Sequence, residues 1–180
     1  EIKELEEKRK SPKLPDYTIP VDFTFTTNIE SAIQKTELIV IAVPAAFVDD
    51  VAKAITPYLK KEQHICIASK GIENNTCLFV EDVIKKYIDT KNLAVISGPS
   101  FAVDIIKNVP IGLSLGTNNQ KTASLVKQAF ENDHFKLRTT NDIKGIEICG
   151  AIKNVIAIAA GMLEGMSLPE STKAMFITES

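Results

Sequence analysis

The sequence predicts an α/β fold: a parallel sheet with helices on both faces, followed by the start of an all-α unit. Three observations predict it. Leu38–Val43 is apolar without alternation and is stopped by Pro44, the pattern of a strand buried on both faces of a parallel sheet. Strand-like and helix-like segments then alternate as far as Gly98, as βαβ units with right-handed crossovers do. After Asn141 the chain turns to DIKGIEICGAIKNVIAIAAG, apolar and rich in small residues, which reads as one long buried helix.

Each element has its own signal. Residues 1–10 read as a charged helix with Ile2 and Leu5 on its apolar edge, and Ser11–Pro20, with its prolines, as a loop. Phe23–Thr26, aromatic and β-branched, is expected to be a short strand. Asn28 is an N-cap for a helix over 29–35 that carries Ala32 and Ile33 inside. Positions 47, 48, 51, 54, 55 and 59 place apolar side chains at helical spacing over Ala45–Leu59. His64–Ser69 is the next strand, Cys77–Tyr87 the next helix, and Leu93–Ser97 a third strand closed by Gly98-Pro99. Pro110–Leu115, Gln120–Phe130 and Phe135–Arg138 continue as strand, helix and strand. The division expected is a sheet domain over 1–141 and the opening helices of a second, helical domain over 142–180.

Composition narrows the function. The 180 residues carry a formal charge of −2, with 44% hydrophobic and 24% charged residues, ordinary for a globular protein. Nucleic-acid binders usually show a strongly basic patch; here the basic residues are scattered, so no nucleic-acid partner is expected. No apolar run reaches the ~18 residues of a membrane span, and the charged N-terminus shows no signal-peptide core. Cys66, Cys77 and Cys149 lack metal-ligand spacing and read as reduced thiols of a cytoplasmic protein. His64 and His134 stand alone, so neither a zinc site nor a Ser-His-Asp triad is expected.

Candidate chemistry falls at the carboxyl ends of the expected strands, where open α/β sheets bind ligands. These segments are Val43-Pro44-Ala45, Ser69-Lys70-Gly71 and Ser97-Gly98-Pro99-Ser100-Phe101-Ala102. Lys70, directly after a buried strand, is either a solvated loop lysine or a ligand for phosphate or carboxylate. Lys153 sits in the apolar helix. It either snorkels from a helix edge or is desolvated, which favours the neutral amine and suits proton transfer. Asn154 beside it orients a ligand or faces solvent. Glu147, six residues before Lys153, is off its face. No GxGxxG occurs in the chain.

Together IVIAVPA (39–45), ASKGIE (68–73), SGPSFA (97–102) and GIEICGAIKNVIAIAAGMLEGM (145–166) resemble the NAD(P)-dependent glycerol-3-phosphate dehydrogenases of bacterial type. Ser171–Thr178 echoes that family's NTKAALIT segment. The resemblance spans essentially the whole chain. It implies a Rossmann-like domain and a helical domain with the active site between them, and hydride exchange between glycerol 3-phosphate and dihydroxyacetone phosphate using NAD or NADP, without metal. It implies a cytoplasmic enzyme supplying glycerol phosphate for phospholipid synthesis. By motif, Lys153 is the implied catalytic acid/base. Lys70 contacts substrate and cofactor, Gly98, Ser100 and Asn154 contact substrate, and Ala102 and Pro44 contact cofactor.

Some of the family pattern is not met. Its first strand and GxGxxG turn are expected ahead of residue 1, and the Asp and Arg-Asn pair that complete its phosphate site beyond Ser180. Glu170-Ser171 replaces a frequent Gly-Asn, and Thr178-Glu179-Ser180 stands where the family has Thr-Arg-Gly. The expectation is therefore an internal piece of a longer dehydrogenase, inactive alone. The exposed apolar face of an unfinished helical unit favours a homodimer. The rival readings are a related 3-hydroxyacid or ketopantoate-type dehydrogenase, and a non-catalytic fragment retaining ligand-binding remnants.

Overall fold

The strands form where apolar residues follow one another and the flanking residues punctuate them. In the computed structural model, which describes residues 2–180, they are β1 (Leu38–Ile41), β2 (His64–Ile67), β3 (Leu93–Ser97), β4 (Ile111–Gly116) and β5 (Phe135–Thr140). They make one five-stranded sheet in the order β1-β2-β3-β4-β5. β1, β2 and β3 are parallel, with Leu38 opposite His64 and Ile65 opposite Leu93. The expected all-parallel sheet needs one correction. β4 is antiparallel to β3, with Ser97 opposite Ser114 and Val95 opposite Gly116. β5 then runs parallel to β4.

The helices are α1 (Ile2–Lys8), α2 (Ile29–Ile33), α3 (Val48–Ile55), α4 (Val80–Lys85), α5 (Ala102–Ile106), α6 (Gln120–Phe130), α7 (Ile143–Gly165) and α8 (Glu170–Glu179). Glu1, part of the expected N-terminal helix, lies outside the described residues. Asn28 caps α2 by accepting from the Ser31 N–H at 2.9 Å. The expected Ala45–Leu59 helix is α3 with a single 3-10 turn at each end, Ala45–Phe47 and Thr56–Tyr58. α5, absent from the sequence reading, is only five residues long and buries none of them, so it carries no periodic signal.

Phe23–Thr26 is not a strand. Its carbonyl is taken by a side chain: Arg9 Nη1 donates to Phe23 O at 2.6 Å and to Pro20 O at 3.2 Å. The guanidinium also lies over the Phe25 ring, 5.3 Å from its centroid. β1 is buried on one face only; as the sheet's edge it leaves Val40 43% exposed.

Alternate strand residues feed two cores. On one face Ile39, Ile41, Ile65, Ile67 and Val95 meet α3, α4 and the first turns of α7. On the other, Cys66, Ala94, Ile96, Leu113, Leu115, Phe135 and Leu137 meet Ala123 and Val126 of α6. β4 shows the period-2 logic plainly. Leu113 and Leu115 enter the α6 core, while Gly112, Ser114 and Gly116, all small, face the other way.

α7 has 23 residues, and by length and composition it is long and apolar enough to cross a membrane. That corrects the expectation that no apolar stretch reaches that size. A helix docked on a sheet meets the same criterion, and α7 buries Ile143, Ile146, Glu147 and Gly150. Farther along, Val155, Ile158 and Met162 are exposed.

Candidate functional site

The carboxyl ends of β1, β2 and β3 come together on one side of the sheet. Ser69 Oγ, just past β2, donates to Val43 O at 2.6 Å and so ties the ends of β1 and β2. Gly71 sits at φ +124, a left-handed conformation that favours glycine, and a Cβ there would lie 3.3 Å from Ala45 Cβ. This turn leaves Lys70 pointing across the strand ends, and its Nζ donates to Gly98 O at 3.2 Å.

α7 reaches the same place from the side. A Cβ at Gly116 would lie 2.9 Å from Ile146 Cδ1 and 3.2 Å from Ile143 Cα. A Cβ at Gly150 would lie 2.8 Å from Ser97 Oγ. Two glycines, one on the sheet and one on the helix, thus allow α7 to lie close against β3 and β4. Past Gly150 the helix runs beyond the end of β3, and Lys153 and Asn154 follow.

Between these walls lies a cavity of about 620 Å³, within the range of small-molecule sites. Its polar lining includes Ser97, Ser100, Ser114, Thr140, Lys153 and Asn154; Phe101, Ile146, Cys149 and Ala157 give it an apolar side. The small outward residues of β4 leave the space that Ser114 borders. Of the residues singled out in the sequence, Gly98, Ser100, Lys153 and Asn154 line this cavity. Lys70 lies behind it, in the wall of a much smaller adjoining cavity that shares Ser97, Ile146 and Gly150. Pro44 precedes the first 3-10 turn and Ala102 opens α5. Both lie in the segments that follow β1 and β3, and neither borders the large cavity.

The electrostatics follow from the convergence. Burial, and then the charge of Lys153, hold the half-buried Lys70 ammonium below the usual lysine range. Two lysines sharing a small volume favour an anion between them. Lys153 itself is solvent-exposed, so the expectation of a desolvated amine is corrected. Its position beyond the end of β3 leaves that side of α7 uncovered among the described residues. Among these residues no cluster of His, Cys, Asp or Glu suits a metal ion.

Sequence reasoning placed Ser97 in a candidate segment but missed Ser114 and Thr140, which border the cavity with it. The alternation in Ile111–Gly116 was the available signal for Ser114. Glu147, read as off the face of Lys153, is indeed turned away from the cavity; its burial against α4 was not foreseen.

The cavity thus has one apolar wall and several hydroxyl-bearing residues, with Lys153 in its lining and Lys70 behind it. A family model described as "NAD-dependent glycerol-3-phosphate dehydrogenase N-terminus" matches residues 1–123, and its "C-terminus" counterpart matches residues 142–180. A glycerol-3-phosphate dehydrogenase (NAD(P)+) of Agathobacter rectalis is 40% identical over 179 residues, covering 99% of this chain and 53% of the relative. One from Fusobacterium nucleatum is 35% identical over 181 residues, with 99% and 54% covered. The crystal structure of glycerol-3-phosphate dehydrogenase from Coxiella burnetii superposes with a TM-score of 0.86 at 25% identity, over 98% of this chain and 55% of that one. A prephenate dehydrogenase from Aquifex aeolicus, at 14% identity and TM-score 0.56, shares the fold alone. The chain spans about half the length of the curated relatives it matches. On the match of its sequence and its fold, the chain belongs to the NAD-dependent glycerol-3-phosphate dehydrogenase family.

Proposed function

We propose that this chain carries the reacting lysines of an oxidoreductase that interconverts glycerol 3-phosphate and dihydroxyacetone phosphate with NAD(H) or NADP(H). The observation that supports it best is that Lys153 lines the cavity beyond β3 while Lys70, held on Gly98 O in the wall of the adjoining small cavity, lies close enough to feel its charge. When bound, the nicotinamide cofactor supplies or accepts the hydride at C2 of the substrate. Pro44, Lys70 and Ala102 are the residues of this chain that would hold it.

Lys153 serves as general acid/base. Its ammonium gives a proton to the C2 oxygen during reduction, and its amine takes that proton back during oxidation. Lys70 keeps one N–H on Gly98 O and has two further donors for a bound anion. Gly98 and Ser100 present the loop that faces the substrate, and Asn154 orients it. The sheet portion, 1–141, supplies the floor of the site, and the helical portion from 142 supplies Lys153. The reading places the enzyme in the cytoplasm, as a homodimer, making glycerol phosphate for phospholipid synthesis.

The test is loss of NADH or NADPH absorbance with dihydroxyacetone phosphate, using the longest product the gene encodes. Turnover is expected, with Lys153→Ala lowering kcat by at least about 10²-fold and Lys70→Ala raising KM as well. Absence of turnover with both cofactors, or a Lys153→Ala variant as active as the parent, would overturn the reading.

A further inference from the structure

Glu147 is the most buried carboxylate of α7, with 4% of its side chain exposed. Oε1 accepts the Glu81 backbone N–H at 2.8 Å. That N–H opens α4, whose own N-cap residue, Phe79, makes no side-chain capping bond. The other oxygen, Oε2, faces Lys144 Nζ at 3.4 Å. Lys144 also pairs with Asp82 at 2.6 Å and Glu81 at 3.2 Å, and Lys85 covers Glu81 from outside at 2.6 Å. On its remaining side, Glu147 shares the small cavity with Ser69, Lys70, Ser97 and Gly150.

The placement on the helix gives this carboxylate a purpose. Ile143, Ile146, Glu147 and Gly150 form a single stripe at helical spacing, and every one of them is buried. Asn154 continues Glu147's face two turns on, and Lys153, the residue before it, stands about a third of a turn off that face and about 9 Å farther along the axis. The glycine contacts at 116 and 150 let α7 come close to the sheet, but they do not hold it; apolar side chains and small residues tolerate sliding. Glu147 makes the buried directional contact, a hydrogen bond to the backbone of α4, beside the more exposed Lys144–Asp82 pair that joins the same two helices. Burial pushes its carboxyl up, against the Glu81 N–H bond and the Lys144 charge, which pull it down. A residue that is costly to bury as an anion needs its partners in place.

We infer that Glu147 is a positioning residue: it fixes α7 against α4 and thereby sets where Lys153 stands relative to Lys70. The inference rests on the proposed dehydrogenase reading for its kinetic consequence and on geometry alone for its structural one. A displacement of about 1 Å at a reacting group can cost on the order of 10²-fold in rate. Loss of the anchor therefore acts on kcat while leaving cofactor KM in place.

The experiment compares Glu147→Gln, which retains an oxygen for the Glu81 N–H, with Glu147→Ala and Glu147→Asp. In the complete enzyme, kcat is expected to stay within about threefold of the parent in Gln. It is expected to fall at least about tenfold in Ala, with the KM for NADH changed less than about twofold. If Ala does not fold, Asp carries the test. Its carboxylate is one methylene short of Glu81, and kcat is expected to fall more in Asp than in Gln. The second readout needs no turnover: the Lys70 ammonium titration, followed by NMR. Burial lowers it first and the Lys153 charge second. Glu147→Asp keeps the carboxylate charge beside Lys70, so a titration that moves in Asp reports displacement of Lys153; Ala and Gln remove that charge alike, and their titrations are expected to differ from each other. A parent enzyme without turnover would sink the proposed function and leave the titration to decide the anchor. Folded Ala or Asp variants with the parent's kcat, or a Lys70 titration unmoved in Asp and the same in Ala as in Gln, would overturn the role of Glu147.

Discussion

Gly98→Ala tests how the strand end is built. A Cβ at position 98 would lie 2.6 Å from Leu113 Cδ2, 3.2 Å from Leu113 Cα and 3.3 Å from Gly112 O. Carbon atoms in contact prefer about 3.5–4.0 Å, so the first distance is short by about 1 Å. Leu113 cannot simply swing away, because it is 8% exposed and packs in the α6 core. The neighbouring Cα and carbonyl are backbone of β4, so relief requires the two strands to part. Overpacking of this kind costs about 1–3 kcal/mol, and backbone contacts put this site near the upper end. For a chain of this size that lowers Tm by roughly 5–10 °C. Gly112→Ala is the control, since nothing lies within 4 Å of a Cβ there and the cost is expected within about 0.5 kcal/mol. Thermal and urea unfolding of both variants measure the difference. If Gly98→Ala melts within about 1 °C of Gly112→Ala, the close contact of β3 with β4 does not exist as described.

Other outcomes follow from the same site. Lys70→Met is expected to stabilise the ligand-free protein at pH 7 while raising the KM for the phosphorylated substrate. Lys70 has a lowered folded pKa, so the unfolded chain binds its proton more tightly. Its contribution is present above about pH 10.5 and is lost as pH falls through the folded value. Urea midpoints for parent and variant at pH 7 and pH 10.5 check this, and a gap that does not shrink at the higher pH would refute it. Burial pushes the Cys66 thiol up to about 12, whereas Cys77 and Cys149 are exposed. Of these three thiols, native protein is therefore expected to yield Cys77 and Cys149 to a thiol reagent, and the unfolded chain Cys66 as well. Phosphorylated substrate should slow the reaction at Cys149, which borders the cavity. Equal labelling of Cys66 in the native state would contradict its burial.

Much of the fold was legible because it is written in local patterns. The apolar runs at 38–43, 64–69 and 93–97 have strand length and end in residues that stop a strand. Asn28 announced α2 by its capping chemistry, and the glycines and serines after β2 and β3 pointed to ligand approach. The direction of β4 was not legible: nothing in Ile111–Gly116 says whether it pairs parallel or antiparallel, and the choice is made by the chain's path between β3 and β4. Phe23–Thr26 has strand propensity but is held by Arg9, a partner no local window contains. Glu147 was read only as off the face of Lys153; its partner was not legible for the same reason, since that N–H lies 66 residues away. The exposure of Lys153 depends on where β3 ends beneath α7, which is a property of the assembled sheet.

The reversal at β4 is what delivers Lys153 to the strand ends. Gly116 is paired with Val95, and Ser97 lies two residues farther towards the end of β3, about 6.6 Å along the strand. Thr140, the last residue of β5, is paired with Gly116, so the chain leaves the sheet at the level of Val95 and not at the site. α7 begins there, with Ile143 and Ile146 against Gly116, and runs in the direction of β3 until Gly150 meets Ser97. From Ile146 to Gly150 is about 6 Å of helix, which matches the strand distance. Three more residues add about 4.5 Å and carry Lys153 just past the last paired residue of β3, where Lys70 reaches over from β2. Had β5 run parallel to β3, α7 would have started at the strand ends and carried its lysine away from them. The antiparallel junction, which looks like a departure from the expected sheet, is therefore the feature that lets a helix docked along its first turns present its next turn to the ligand.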